Sequence, residues 1–450
     1  MAEVNARGAA VKILYEVFYR GAYSNIALKK ELGAADMSDR DRALCSELVY
    51  GVLRSYRKLD YYIQNQSSLP MKKISDRILL ILRLSFYQLL FSDAVPDRAV
   101  CSEAVKLARR YGHGASAGYV NAVLRGFIRL RDSGALPPVK GSDELETLSI
   151  DSSIPSTVIE AWRRGYGQAR ARELCGLMSR RPSGTTIRAN TLKTDIKALC
   201  GRLSAEGAQV RSIDGTNGAV VSGAGSVDGL PAFKEGLFWV QSLPSQAAAD
   251  ALGAERGMTV LDMCAAPGGK TFSICCAMGD EGRIIAFDLH EHRCGLIKRS
   301  CERLGLSSVE VRVGDARVLL NELEKKADRV LCDVPCSGWG MLAGKPDIRL
   351  RSRDEGLCDI QYDILSNASR YVKRGGVLVY STCTLMPDEN EGVIERFLRE
   401  HGGWRTEPVP TPEILAKSAR TDGDMLTVFP NGELFEGFFI CRLKRSDTDD

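Results

Sequence analysis

A chain of 450 residues is too long for one ordinary domain, because domains cluster near ~100–150 residues, so about three are expected. With 44% hydrophobic and 26% charged residues, the composition is that of a folded globular protein and excludes a disordered or fibrous chain. The net charge of +4 is compatible with a nucleic-acid partner without demanding one. On charge alone, the arginine cluster Arg163, Arg164, Arg170, Arg172, Arg180, Arg181 and Arg188 reads better as a solvated helix face than as a nucleic-acid contact.

The opening MAEVNARGAA carries no apolar signal core. No run reaches the ~18 apolar residues of a membrane span; the greasiest stretch, Ile78 to Phe91, is broken by Arg83, Ser85 and Gln88. A cytoplasmic location is expected, with the 14 cysteines present as thiols. No two are spaced Cys-x-x-Cys, and His290 and His292 flank Glu291 without a further ligand pair, so no metal is expected.

Residues 1–133 read as helices. Val11, Leu14, Val17 and Phe18 recur at helical spacing. Ser38 with Asp41 predicts an N-terminal cap for a helix carrying Leu44, Leu48, Val49 and Val52. Further helices carry Ile78, Leu79, Leu82 and Phe86, then Val100, Ala104, Val105 and Ala108, then Val120, Val123, Leu124 and Phe127. With no strand pattern among them, an all-α bundle is predicted. Residues 134–153, with Gly134, Pro137, Pro138 and Gly141, read as a linker. Residues 154–245 read as a small α+β insert: a helical pattern from Pro155, a strand over Thr185–Asn190, a helix from Ile196 to Glu206, then glycine-rich, β-branched segments to Val240.

Over residues 246–446 strands alternate with helix-length segments. The strands are Val260–Met263, Arg283–Phe287, Val309–Val313, Arg329–Cys332 and Gly376–Ser381. This predicts a doubly wound, Rossmann-like α/β domain with a parallel sheet. Ligands in such sheets bind at the carboxyl ends of the strands, and every motif below falls at one of those ends.

The first strand runs into Cys264-Ala265-Ala266-Pro267-Gly268-Gly269-Lys270-Thr271, where small residues let the backbone approach a ligand at a helix N-terminus. A P-loop is the rival reading, because Gly269-Lys270-Thr271 matches its end. That motif needs a glycine where Cys264 stands, and Pro267 removes an amide donor. The second strand ends at Asp288, the position of a ribose clamp. The third ends in Gly314-Asp315-Ala316, where an acid can accept from the amine of adenine. Singly, strand-end aspartates are often helix caps; in this order they look like a site for S-adenosyl-L-methionine.

The fourth strand leads into Asp333-Val334-Pro335-Cys336 and the fifth into Ser381-Thr382-Cys383, which puts two cysteines at one mouth of the sheet. Carbon 5 of cytosine is not nucleophilic until a thiolate adds to carbon 6, so a cysteine beside a methyl donor fits covalent catalysis. Asp333 is placed to hydrogen-bond the cytosine edge. The plain alternative for any one cysteine is a small buried hydrophobe.

Asp262 to Thr271, Asp288, Asp315, Asp333-Val334-Pro335-Cys336 and Thr382-Cys383 resemble the NOL1/NOP2/Sun family of RNA cytosine-C5 methyltransferases. The match extends through Lys345-Pro346-Asp347-Ile348-Arg349, Pro387-Asp388-Glu389-Asn390-Glu391 and the closing Gly437-Phe438-Phe439. Asn121-Ala122-Val123-Leu124-Arg125 and the helices before it resemble a NusB-type RNA-binding domain, a fusion typical of the bacterial branch acting on 16S rRNA. The resemblance implies that Cys383 is the nucleophile and that Cys336 assists product release. The chain departs from the family's usual pattern within Val240-Gln241-Ser242-Leu243-Pro244, at Ser242 and Pro244, and at Gly344-Lys345 and Glu436.

The expected partner is 16S rRNA presenting an unpaired or flipped cytosine to a monomer, with no membrane and no metal. Arg188, Asn190, Lys345 and Arg349 are candidate RNA contacts, their alternative being ordinary surface charge. Three other readings stay open. They are a tRNA methyltransferase, a non-catalytic RNA-binding assembly factor, and a methyltransferase acting on protein or a small molecule. The paired cysteines weigh against the last two.

Overall fold

The computed structural model describes residues 5–34, 37–92, 95–223, 225–352, 354–432 and 436–447. The first four residues of the opening MAEVNARGAA lie outside them. Among the described residues no helix is long and apolar enough to cross a membrane. The chain divides into two units. The first is Met1–Ser179 together with Lys345–Ser352; the second is Arg180–Gly344 together with Arg353–Asp450.

The first unit consists of helices α1 (Ala6–Arg20), α2 (Ser24–Ala34), α3 (Asp39–Gln66), α4 (Asp76–Phe91), α5 (Asp97–Tyr111), α6 (Ser116–Asp132), α7 (Glu144–Ser152), α8 (Ser156–Tyr166) and α9 (Gln168–Met178). The Ser38 cap forms, with its hydroxyl accepting from the Asp41 amide at 3.2 Å. Every residue of α4 from Ile78 to Leu89 is buried. Its polar members find partners within the bundle: Arg83 makes a two-pronged bond to Asp60 at 2.7 and 2.8 Å, leaving one guanidinium nitrogen buried without a hydrogen bond, and Ser85 donates to the Ile81 carbonyl. Leu14, Leu48, Leu80, Phe86, Leu124 and Phe127 are fully buried at the centre, each contributing roughly 1.5–3 kcal/mol on burial.

Two expectations change here. Residues 134–153 are not linker throughout, because α7 occupies Glu144–Ser152. Asp143 caps it by accepting from the Glu146 amide at 2.7 Å, so the glycine and proline signals stop where a capped, acidic first turn begins. Helices α8 and α9, expected in the α+β insert, belong to the helical unit, with Trp162 fully buried.

The second unit holds two sheets. Strands β1 (Thr185–Ala189), β2 (Gln209–Ser212), β3 (Gly218–Ser222) and β4 (Phe238–Val240) pair antiparallel in the order β2-β3-β1-β4. Leu199 and Leu203 of the helix Ile196–Ala205 are buried in its core with Ile187 and Ala189. This is the α+β insert as a sheet, without the preceding helices. The larger sheet contains β5 (Thr259–Asp262), β6 (Arg283–Asp288), β7 (Val309–Val313), β8 (Ala327–Asp333), β9 (Val372–Thr382), β10 (Trp404–Glu407), β11 (Ala419–Asp422), β12 (Met425–Val428) and β13 (Phe438–Arg445). Its order is β11-β12-β13-β9-β8-β5-β6-β7, with β10 on β13.

The five expected strands, β5 to β9, pair parallel with one another as read. The sheet as a whole is mixed, because β13 runs antiparallel to β9, with Phe439 opposite Thr382. That strand starts at the expected closing motif. Because β6 and β8 flank β5, the chain reverses direction across the sheet there, opening a crevice at the carboxyl ends of β5 and β8.

Candidate active site

The glycine loop after β5 turns sharply. Ala266–Pro267 is cis, and the Gly268 amide donates to the Ala265 carbonyl at 2.7 Å. Gly268 has φ 110°, and a Cβ there would lie 2.3 Å from the Phe272 ring, so no larger residue fits. Gly269 opens the helix Gly269–Ala277, and a Cβ there would meet nothing nearer than 3.7 Å. Beneath the loop Asp262 is fully buried and accepts from the Thr271 hydroxyl at 2.7 Å. Burial pushes its carboxyl up to about 7, with the Thr271 hydrogen bond opposing.

Asp288, at the end of β6, is buried and held by backbone: it accepts from the Ala266 amide at 3.3 Å and the His290 amide at 3.1 Å. The Arg293 guanidinium stands 3.4 Å away and donates to the Ala266 carbonyl at 2.9 Å. Asp315, after β7, is half-buried and pairs with the Arg317 guanidinium at 2.6 Å. Hydrogen bonding from Arg317 holds its carboxyl below the usual range. Leu289, Val313 and Val318, neighbours of these two acids in sequence, are exposed apolar side chains.

The thiol side lies at β8 and β9. Asp333 accepts from the Lys270 ammonium at 2.6 Å and from the Ser381 hydroxyl at 2.8 Å, so the glycine loop and both strand ends converge on one carboxylate. Lys270 is itself buried, 5.2 Å from the centre of the Phe438 ring. The sulfurs of Cys336 and Cys383 are 3.3 Å apart, both half-buried. The hydrogen bond that the Cys336 thiol shares with the Cys383 sulfur, then burial, raises the Cys336 thiol well above its ordinary range, with Glu389 and Asp333 adding to the effect. Backbone ties complete the mouth: the Gly340 amide donates to the Cys383 carbonyl at 3.1 Å and the Gly437 amide to the Gly340 carbonyl at 2.9 Å. A Cβ on Gly340 would sit 2.2 Å from the Gly437 carbonyl, so glycine is required at that crossing.

The cysteines, Asp333, Lys270 and the loop Cys264–Gly269 are thus brought to one end of the sheet, as the motif positions predicted. The RNA candidates fare differently. Arg188 is buried and its guanidinium is bound to Asp250 at 2.7 Å. Asn190 is fully buried and donates to the Gly236 and Leu304 carbonyls, each at 2.9 Å. Arg349 is buried in the helical unit, donating to the Met178 carbonyl at 2.6 Å, and burial pushes its pKa down to about 9. These three side chains hold the fold together and offer no free face to a phosphate; only Lys345 is exposed. Buried polar groups must find partners inside the protein, and that is where these went.

Sequence reading gave no role to Glu389, Asn390 and Gln361, all buried next to the cysteines. The Pro387–Glu391 motif was visible, but only its place behind two neighbouring strand ends gives it meaning. Gln241, next to the departure at Ser242, is a buried hub that accepts from the Trp239 indole at 2.9 Å and the Ser273 hydroxyl at 2.8 Å. Among the described residues no group of His, Cys, Asp and Glu is placed to hold a metal ion.

Comparison with known proteins adds a second line. The profile of the 16S rRNA methyltransferase RsmB/F family matches residues 249–444, and that of the NusB family matches residues 4–129. The chain is 35% identical to the probable ribosomal RNA small subunit methyltransferase B of Bacillus subtilis, over 99% of this chain and 100% of that one. It is also 35% identical to the Synechocystis protein of the same description, over 98% and 100%. The crystal structure of PH0851 superposes with a TM-score of 0.81 at 26% identity, covering 98% of this chain and 99% of that one.

Proposed function

The chain belongs to the 16S rRNA methyltransferase RsmB/F family, with a NusB domain at its N-terminus, and from that premise we propose that it methylates carbon 5 of a cytosine in 16S rRNA through a covalent Cys383 adduct. The observation that carries this reading is the pair of thiols 3.3 Å apart beside the Asp333–Lys270 ion pair, at the mouth where the glycine loop ends.

S-adenosylmethionine fits the residues present. A Cβ on Gly269 would make only ordinary contact with Gln241, so a ligand can come up to the backbone of Cys264–Lys270 at that helix N-terminus. Asp288 is oriented by amides to receive ribose hydroxyls, Asp315 an adenine amine, and the exposed Leu289, Val313 and Val318 offer apolar cover to a ring. When bound, the cofactor supplies an electrophilic methyl group.

The residues of the chain do the rest. Cys336 keeps its proton and donates it in a hydrogen bond to the Cys383 sulfur, and Cys383 gives up its own proton to solvent to react as a thiolate. That thiolate adds to carbon 6 of the cytosine, and the displaced π electrons make carbon 5 nucleophilic. Asp333, paired with Lys270, accepts from the cytosine amine, and the ammonium faces the negative charge that develops on the ring. After methylation, carbon 5 carries both a hydrogen and a methyl group. Cys336 passes its proton to the departing Cys383 sulfur and takes the carbon 5 proton. The carbon 6–sulfur bond breaks, the ring double bond re-forms, and both thiols are restored.

The test is incubation with S-adenosylmethionine and unmodified 16S rRNA, followed by nucleoside mass spectrometry. 5-Methylcytidine at one site is the expected result. Modification of tRNA alone would replace the substrate, and a methyl group on any other atom would sink the mechanism.

A further inference from the structure

Glu389 and Asn390 are consecutive, fully buried, and each straddles one of the two cysteines. One Glu389 carboxylate oxygen accepts from the Ser337 amide at 2.9 Å and from the Gln361 amide group at 3.0 Å. The same Gln361 nitrogen donates to the Pro335 carbonyl at 2.9 Å. The backbone is therefore fixed immediately before and immediately after Cys336. Asn390 does the same for Cys383: its side-chain oxygen accepts from the Thr382 hydroxyl at 2.6 Å, and its nitrogen donates to the Thr384 carbonyl at 3.1 Å. A bond between the Ser337 and Thr384 hydroxyls at 2.8 Å closes the two loops on each other. The Tyr380 hydroxyl, donating to the Glu389 carbonyl at 2.6 Å, anchors the bracket itself.

A buried carboxylate is costly, and glutamine would accept from the same two donors only by burying an amide NH2 group where the second oxygen now sits, which displaces the loop it holds. Among the described residues the second Glu389 oxygen has no hydrogen-bond partner. The Glu389 carboxylate adds to the upward shift of the Cys336 thiol, on the loop it holds.

We propose that Glu389 and Asn390 form a bracket of positioning residues that sets the separation of the two thiols, Glu389 governing the loop of Cys336 and Asn390 the loop of Cys383. The consequence deepens the mechanism above and rests on it: Asn390 serves adduct formation, and Glu389 serves adduct release.

The test uses the full-length protein with Glu389→Gln, Asn390→Asp and Asn390→Ala, keeping variants whose melting temperature matches the wild type. In the first measurement, diamide oxidises the thiols and mass spectrometry follows the Cys336–Cys383 disulfide. Closure is expected to slow by about ten-fold in each variant, because a displacement near 1 Å carries penalties of that order or larger. In the second, adduct formation and release on rRNA are timed separately. Glu389→Gln is expected to slow release about ten-fold with formation unchanged, and to shift the alkaline limb of release to lower pH, because a charge that raises the Cys336 thiol is gone. The Asn390 variants are expected to slow formation. Wild-type closure rates in the folded variants would overturn the bracket. Slowed closure with no adduct even in wild type would keep the bracket and sink the catalytic reading instead.

Discussion

The carboxyl end of the large sheet has two sides built on different terms. On the thiol side, side chains hold side chains and backbone: Lys270 and Ser381 on Asp333, Gln361 and Glu389 around Cys336, Asn390 around Cys383. On the acid side, backbone amides orient Asp288, and Asp315 leans on a single surface arginine. Groups that form and break bonds are over-determined, because small misplacement is expensive in a reaction. Groups that hold a ligand need only point the right way and keep lone pairs to spare. Damage on the first side should therefore appear in turnover, and damage on the second in affinity.

The largest expected effects lie at the thiols. Cys383→Ala should lower methyl transfer by at least about 10³-fold and leave no adduct. Cys336→Ala should cut turnover by about 10²-fold or more while trapping protein on RNA in a denaturation-resistant complex. The opposite pattern in a denaturing gel would exchange the two roles. Next comes Asp288→Ala, which should weaken S-adenosylmethionine binding by about 10–100-fold in calorimetry through loss of charge-assisted hydrogen bonds, with turnover at saturation nearly kept. Asp315→Asn should cost only a few-fold in the same titration. An Asp315 effect exceeding that of Asp288 would reverse the ranking drawn from their burial.

The smallest effect is one of stability. Asp262 has its carboxyl raised to about 7 in the fold, so it binds more protons folded than unfolded. Its contribution is full below the ordinary carboxylate range and is lost as pH rises through about 7. Asp262→Asn should thus raise the melting temperature by a few degrees at pH 8, and the gain should vanish by pH 4. A gain independent of pH would mean that Asp262 is not protonated in the fold.

Much of this was legible in the chain. Strands β5, β6, β8 and β9 announce themselves because each carries an apolar run with turn residues beyond it, and β7 because valines alternate with Glu310 and Arg312; the strand ends carry the acids and cysteines. What failed did so for a consistent reason. Arg188, Asn190 and Arg349 have the chemistry of RNA contacts, and composition cannot tell a guanidinium facing solvent from one bound to Asp250 or to the Met178 carbonyl. The segment 134–153 read as linker because its prolines and glycines outweigh a single capping aspartate, Asp143. Glu389 was hidden because its partner Ser337 lies 52 positions away along the chain, and Asn390 because its bonds to Thr382 and Thr384 exist only once the turn after β9 has formed.

The eight residues Lys345–Ser352 belong to the helical unit although the chain on both sides of them belongs to the other. Asp347 accepts from the Ser24 hydroxyl at 2.6 Å, the Arg351 guanidinium lies 3.9 Å from the centre of the Tyr23 ring, and Ile348 and Arg349 are buried. On the ribosome, the helical unit is therefore still missing a piece when its last helix emerges. It is completed only after β5 to β8 have been translated. A gene fragment ending near Ser179 would encode helices with an uncovered seat for this segment, so no single cut yields two finished halves, and recombination that exchanges one unit has to carry the insert from the other half of the gene along with it.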